Sequence, residues 1–421
     1  MKETKTLELK ESVSNTFLKT VSAYANFGTG TILFGVRDDG QAVGLPDPQR
    51  SCLDIENRIN DSISPKPDYS LRIDNSTKVV TLIVQEGPFK PYLYKSKAYR
   101  RSDTATVEVD QMELKRLILE GSNRSFEELP YPGKQDLTFK TLERELQSAV
   151  QLQTLTQDTL RTLGLLTGQG AFNNAGALLA DRNEFNGIDI IRFGDTENEI
   201  LERETCIKKS LLLQFADAMA IYRRNYQLEK VEGARRIRQE LIPETAYREA
   251  LANALVHRMW DIPANVQISM YTDRIEIVSP GGLPSGISET EYLQGSFSRL
   301  RNPVLSNVFF RLHIIEMFGT GIRRIRQAYA GSYPEPAFPV YENSLKVILP
   351  VCRSMPDMDE TERKVYDLLR YERALSSSAL SQASGIHRAT LLRVVKRMVD
   401  RHIVQVTGRG RGTRYSLCGR S

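Results

Sequence analysis

The apolar segment Thr31-Ile32-Leu33-Phe34-Gly35-Val36 constrains this chain more than any other stretch. Gly28-Thr29-Gly30 precedes it. Asp39-Gly40, a strong hairpin-turn pair, follows before Gln41-Ala42-Val43-Gly44-Leu45. So short an apolar run, bracketed by turn residues, reads as a buried strand. Upstream, Phe17, Val21 and Tyr24 recur at three- and four-residue spacing, which predicts a helix over 14–26. A strand at 6–10, a helix near 52–63 and strands at 69–74 and 79–85 complete an α+β block that ends near residue 121.

With 421 residues, the chain has room for two to four domains of ~100–200 residues each. Residues 121–136 are rich in turn formers (Gly121-Ser122-Asn123, then Pro130-Tyr131-Pro132-Gly133) and read as a linker. Residues 137–239 read as a helical and α/β connecting region, with a long basic helix over 208–238. Residues 240–350 form a second chemical block: a helix at 244–259, then strands at 266–271 and 274–279. A short linker leads to a final module at 358–421. The expected fold class is therefore α+β and multidomain. Hydrophobic residues are 40% and charged residues 26%, a balance that excludes a disordered chain and a membrane bundle. No run approaches the ~18–20 apolar residues of a membrane span. The first residues are charged, so a cytoplasmic location is expected. Four scattered cysteines predict neither a disulfide framework nor a cysteine zinc site, and four histidines argue against a histidine-rich metal cluster.

Charge is segregated. Residues 361–421 hold 13 Lys/Arg and 4 Asp/Glu, or +9, so residues 1–360 carry 5 − 9 = −4. In that tail, helices are predicted over 362–371, 378–384 and 389–401. Strands at 403–407 and 413–417 flank Gly408-Arg409-Gly410-Arg411-Gly412. Three helices followed by a basic hairpin is the winged-helix plan. A helix of this length fits the DNA major groove with its N-terminal side chains toward base edges. His387, Arg388, Thr390 and Arg393 take those positions, and Arg409, Arg411 and Arg414 form a wing suited to phosphates or a minor groove. The competing reading is a protein-docking module with a solvated basic face.

In the second block Glu249 and Asn253 stand four residues apart on one helical face. A carboxylate there can deprotonate water, and an amide oxygen can ligate Mg²⁺. Gly281-Gly282 and Gly319-Thr320-Gly321 follow in order, and glycine lets backbone N–H groups approach a phosphate. Glu249–His257, Asp273–Pro284 and Glu316–Ile322 together resemble the divergent GHKL (gyrase, Hsp90, histidine kinase, MutL) ATPase-type domain of bacterial transcriptional regulators. The resemblance spans about 240–350. It implies Glu249 as the water-activating base and Asn253 as the Mg²⁺ ligand of bound ATP. It further implies Gly281 and Gly282 as the adenine-side loop and Gly319, Thr320 and Gly321 as the phosphate lid. Ser279-Pro280 occupy the place where members outside this branch carry an adenine-binding aspartate. His257 could touch phosphate, or be a helix-end histidine satisfied by backbone.

Residues 3–45, from Glu3 and Glu8-Leu9-Lys10 through Ala23–Gly40, resemble the Schlafen-type divergent AlbA domain, and 95–107 fit its closing strand and turn. Some Schlafen proteins are RNases with three carboxylates around a divalent metal, which would make Glu3, Glu8 and Asp38 (or Asp39) candidate ligands. Asp38-Asp39-Gly40 is equally ordinary turn chemistry. Lys10, Arg37, Lys95, Lys97, Arg100 and Arg101 are candidate phosphate contacts or solvated charges. The expected protein is thus a homo-oligomeric regulator that binds DNA, with RNA as a possible ligand. ATP-Mg²⁺ modulates nucleic-acid binding and is hydrolysed slowly at best. The alternatives are a Schlafen-type metal-dependent nuclease acting in defence or stress, and a non-catalytic oligomeric scaffold.

Overall fold

The structure, a computed structural model, describes all residues except 1, 233–234, 285, 296–298, 317–318, 355–356, 372–373 and 419–421. The chain divides into two compact units, Met1–Phe126 and Glu127–Ser421, each built on its own sheet.

The first unit contains strand β1 (Leu7–Lys10), helix α1 (Phe17–Phe27), β2 (Gly30–Phe34) and α2 (Pro48–Ser62). Next come β3 (Tyr69–Asp74), β4 (Val79–Val84), the hairpin β5 (Tyr99–Ser102) and β6 (Ala105–Glu108), and α3 (Gln111–Gly121). The sheet order is β1-β2-β4-β3, with β1 parallel to β2 and the other pairs antiparallel. Helix α1 buries Phe17, Leu18, Val21, Tyr24 and Ala25 against Ile32, Phe34, Val80 and Leu82 of the sheet. It ends because Gly28 turns at φ +134° while its N–H still reaches the Tyr24 carbonyl. Gly30 is required there, since a Cβ would lie 2.3 Å from the Tyr24 ring. Asp47 caps α2, which starts on Pro48, and Asp110 and Glu113 cap α3 reciprocally.

The hairpin expected after Asp39-Gly40 shrinks to a single bridge, Val36 to Ala42. Gly35 and Gly44, both at positive φ, approach so closely that a Cβ on Gly35 would meet Gly44 at 2.9 Å. Val43 and Gly44 both donate to the Gly35 carbonyl, so no regular ladder continues.

The second unit begins with helices α4 (Lys140–Val150), α5 (Gln157–Thr162) and α6 (Asn174–Leu179). Strands β7 (Ile188–Phe193) and β8 (Ile200–Cys206), helix α7 (Leu211–Tyr226) and the hairpin β9 (Gln227–Glu232)/β10 (Arg235–Glu240) follow. Then come α8 (Glu244–Val256), β11 (Val266–Met270), β12 (Arg274–Pro280), α9 (Glu289–Gln294), α10 (Pro303–Arg311), α11 (Gly321–Ala328) and β13 (Ser344–Pro350). The five-stranded sheet runs β8-β7-β11-β12-β13, with β7 parallel to β11 and the rest antiparallel. The connecting region expected over 137–239 therefore shares one sheet with the block expected over 240–350. The single helix expected over 208–238 stops at Tyr226, where side chains begin to alternate as a strand pair, with Gln227 opposite Glu240.

Helices α7 and α8 pack on each other and on the sheet. The Tyr222 and Tyr247 rings stack at 4.4 Å, the Tyr222 hydroxyl donates to the Ile242 carbonyl, and Ala250, Leu251 and Val256 face the core. Helix α11 packs along α8. The chain ends in α12 (Glu360–Tyr371), α13 (Ser377–Ser384), α14 (Arg388–Asp400) and the antiparallel pair β14 (Val404–Thr407)/β15 (Arg414–Leu417). Leu391, Val394, Val395 and Met398 turn one stripe of α14 into a core shared with Val365, Tyr366, Leu369 and Leu380. Among the described residues no helix is long and apolar enough to cross a membrane.

Candidate nucleotide cavity and nucleic-acid face

Asn253 and Glu249 sit one turn apart on α8, as their spacing requires. The Asn253 side-chain amide donates to Glu249 Oε1 at 3.3 Å. Glu249 is only 4% exposed. Burial pushes its carboxyl up from the ordinary carboxylate range, against the opposing pull of Arg324 and Asn253. Arg324, in the first turn of α11, lies 3.9 Å from Glu249 and pairs with Glu316.

A cavity of about 120 Å³ opens beside this pair. Ala250 and Ala254 leave the space, Ile277 and Val347 floor it from the sheet, and Ile322 and Ile325 of α11 cover it. Asn253, His257, Ser279, Tyr292, Arg299 and Arg301 bring polar atoms to a mostly apolar wall. Burial, with the nearby Arg301 guanidinium, drives His257 down to about 4, so the ring is neutral at pH 7. The Ser279 hydroxyl donates to the Ala254 carbonyl at 2.8 Å.

The structure brings Asn253, Gly319 and Gly321 onto one cavity wall, while Glu249 stands behind Asn253. Gly319 turns at φ +64°, and Thr320 precedes α11 without capping it through its side chain. Gly321 is pressed onto α8: a Cβ there would stand 2.4 Å from Asn253 Nδ2 and 2.9 Å from Glu249 Oε1. Not even a methyl group fits between α11 and the two polar side chains. Gly281 and Gly282 are not on the cavity wall. They lack side chains because Met259 and the Glu342 carbonyl crowd them, at 2.5 and 2.1 Å from the Cβ positions.

Sequence reasoning passed over Arg301 and Asn302, which hold this corner together. Arg301 donates to the carbonyls of His257 and Gly282 at 2.7 and 2.8 Å. Buried Asn302 donates to those of Val256 and Arg258. The only local signal, Asn-Pro before α10, marks a helix start and says nothing of these long-range bonds.

The N-terminal carboxylates are differently placed. Glu8 is buried, and both its oxygens are taken: Oε1 by Lys10 at 2.7 Å, Oε2 by Arg101 and the Thr20 hydroxyl, both at 2.6 Å. Glu3 accepts from the Leu9 amide at 2.9 Å. Asp38 is exposed, and Asp39 closes its turn on the Gln41 amide. Among the described residues no group of three His, Cys, Asp or Glu side chains could hold a metal ion, so Glu3, Glu8 and Asp38 are not gathered into one. A divalent ion does not fit at Glu8, whose two oxygens are already engaged by two cations and a hydroxyl. The basic candidates are also engaged. Arg37 pairs with Glu11, Lys97 with Glu108 and Arg100 with Glu113, which leaves Lys95 exposed over the Tyr94 ring.

On α14, His387, Arg388, Thr390 and Arg393 are exposed on the face opposite the buried stripe, with Lys396 beside them. Among the described residues Arg388, Arg393 and Lys396 have no ion pair. Arg397 and Arg401 do, with Asp359 and Glu362. Arg409 and Arg414 are exposed on the hairpin, and the Arg411 side chain lies outside the described features.

Two family models match parts of the chain. "Schlafen, AlbA_2" matches residues 3–110, and "Putative ATP-dependent DNA helicase recG C-terminal" matches 264–349. The second begins after α8, so it leaves out Glu249 and Asn253. Together they define the class: a mixed α+β, multidomain chain with an AlbA_2 domain and an ATPase-type domain. No curated protein matches. Among solved structures, the crystal structure of the DIP2311 protein from Corynebacterium diphtheriae shares the fold. It is 18% identical at a TM-score of 0.50, over 99% of this chain and 92% of that one. The solution structure of the N-terminal domain of a RecG-related protein from Nitrosomonas europaea, titled a putative ATP-dependent DNA helicase, is 21% identical. It covers 26% of this chain and 84% of its own, at a TM-score of 0.21.

Proposed function

We propose that this protein is a nucleotide-responsive DNA-binding regulator. Its C-terminal three-helix-and-hairpin module is a winged helix that docks α14 in the major groove, and its sheet domain takes an adenine nucleotide as effector. One observation carries the reading: α14 buries a complete apolar stripe and turns a second face outward with Arg388, Arg393 and Lys396 unpaired among the described residues, beside His387 and Thr390. A helix that commits one face to its core and leaves adjacent cations without counter-ions suits a polyanion.

The effector site is the cavity under α11. Its mostly apolar walls accept a base, and Asn253 stands at its edge, where the Mg²⁺ of the phosphates would be met. When bound, the ion would supply charge neutralisation of the phosphates. Asn253 would orient it, and neutral His257 would offer the base a hydrogen bond. Glu249 is covered by Gly321 and held by Asn253, a placement that favours sensing over rapid hydrolysis. The family likeness of residues 264–349 supports nucleotide as the ligand class. No geometry favours the nuclease reading, because Glu8 is already neutralised by Arg101 and Lys10.

Two titrations test the proposal on the full chain. Calorimetry with ATP-Mg²⁺ should give saturable heat that N253A abolishes. Anisotropy of labelled duplex DNA should saturate at low salt, and R388A/R393A should weaken it. Absence of heat removes the effector, and unchanged DNA affinity in the double variant removes the winged-helix contact.

A further inference from the structure

We propose that Tyr333 couples the cavity to the DNA-contacting module: α11 moves when phosphates enter, and Tyr333 passes that movement to the turn between α14 and the wing. The inference rests on the nucleotide reading above and adds its route of regulation.

The need for movement comes from Gly321. With a Cβ position 2.4 Å from Asn253 Nδ2, the first turn of α11 occupies the space beside Asn253 that phosphates and a metal would use. Bound nucleotide and seated α11 exclude each other, and that differential contact lets a ligand shift a conformational equilibrium. Arg324 holds the seated state through Glu316 and, more distantly, Glu249.

The other end of α11 is anchored. The Tyr329 hydroxyl, buried, donates to the Pro350 carbonyl at the end of β13 at 2.7 Å. Displacement of the first turn therefore pivots the helix about Tyr329, and the chain beyond must take up the rotation. Gly331, at φ +80° with open space around it, follows two residues later.

Two residues beyond Gly331, a side chain enters the C-terminal module. Tyr333 belongs to the same buried cluster as Val365, Tyr366, Leu369, Met398 and Ile403. Its hydroxyl donates to the carbonyl of His402, which lies in the turn joining α14 to β14. Two further ties run alongside. Ser332 and Tyr333 pair antiparallel with Ser354 and Arg353, and Glu335 binds Arg370 of α12 at 2.6 Å. The segment after α11 is thus built into the core that orients α14 and the hairpin. A shift of one packed element past another is an established mode of such transitions.

The test uses the full chain, random-sequence duplex DNA and ATP-Mg²⁺. In the wild type, saturating nucleotide should change DNA affinity about fivefold or more, a typical coupling. By reciprocity, DNA alone should change amide exchange across residues 321–328. Y333A should bring the affinity ratio close to one while nucleotide affinity stays. Because that change removes a core ring, the second variant is Y333F, which keeps the ring and removes only the hydroxyl tie to His402; it should lower the ratio at unchanged basal DNA affinity. A wild-type ratio in both variants overturns the coupling, as does α11 exchange indifferent to DNA. If the wild type gives no nucleotide heat, the effector reading fails, and the exchange measurement still decides the link between α11 and the tail.

Discussion

The salt dependence of DNA binding separates the cations that face solvent from those the fold has used. The tail's formal charge is 13 − 4 = +9. If every net charge met a phosphate, log K would fall with log salt at a slope of about −0.9 × 9 ≈ −8. The structure reduces that count. Arg397 is tied to Asp359 at 2.7 Å and to Glu362 at 3.3 Å, Arg401 to Glu362 at 3.0 Å, and Arg370 to Glu335 at 2.6 Å. On α14 and the hairpin, the elements that would face DNA, Arg388, Arg393, Lys396, Arg409 and Arg414 remain as exposed candidates. Five contacts give a slope of about −4.5, or about −5.4 with Arg411 counted. At the first value, affinity falls about 500-fold between 50 and 200 mM salt. Fluorescence anisotropy of a labelled duplex across that range measures it. R393A should flatten the slope by about 0.9, and R397A should leave it unchanged within error. A wild-type slope near −8, or equal flattening by R397A and R393A, would refute the assignment of free and spent arginines.

Three further outcomes follow from other parts of the molecule. E8Q leaves buried Arg101 without its carboxylate partner, 2.6 Å away, and should cost the first unit about 3–5 kcal/mol. Hydrogen exchange over 17–27 reads that loss, and a cost below ~1 kcal/mol would show that the introduced amide and water compensate. G321A forces a methyl into a gap of 2.4 Å at Asn253 and should cost about 1–3 kcal/mol. Trp260, the single tryptophan, reports this in denaturant titrations. The double variant with Asn253→Ala should regain most of the loss, and no regain would place the strain elsewhere. His257 is held down to about 4 from an ordinary 6.5. Its contribution to stability is complete above pH 6.5 and is lost as pH falls toward 4, because the unfolded chain binds the proton first. H257N should remove that part of the acid dependence, and an identical pH profile in the variant would assign it to other groups.

What the sequence revealed, and what it hid, divides by the range of the interaction. Helix α1 could be read from Phe17, Val21 and Tyr24, because periodicity is local. The shared face of Glu249 and Asn253 needed only the helical repeat, and the tail's three helices and hairpin lie within a residue or two of their expected limits. The parallel pairing of β7 with β11 could not be read. Val266 meets Ile188 across an intervening β8, α7, a hairpin and α8, and neither strand carries a mark of its partner. The same holds for charge. Composition counts Arg397 and Arg393 alike, yet their helical positions send one to Glu362 and leave the other in water. Glycine is ambiguous for a related reason. Gly281 and Gly321 both fit a phosphate loop by type, but Gly281 is demanded by its φ of +104° and by Met259, whereas Gly321 is demanded by the two side chains expected to meet the nucleotide. A glycine signals that something comes close, and only the fold says what. Here the close neighbour of Gly321 is Asn253 itself, so the residues that suggest a nucleotide site also close it. A nucleotide seated against Asn253, as proposed, has to displace α11, and the segment beyond that helix is already built into the C-terminal core through Tyr333.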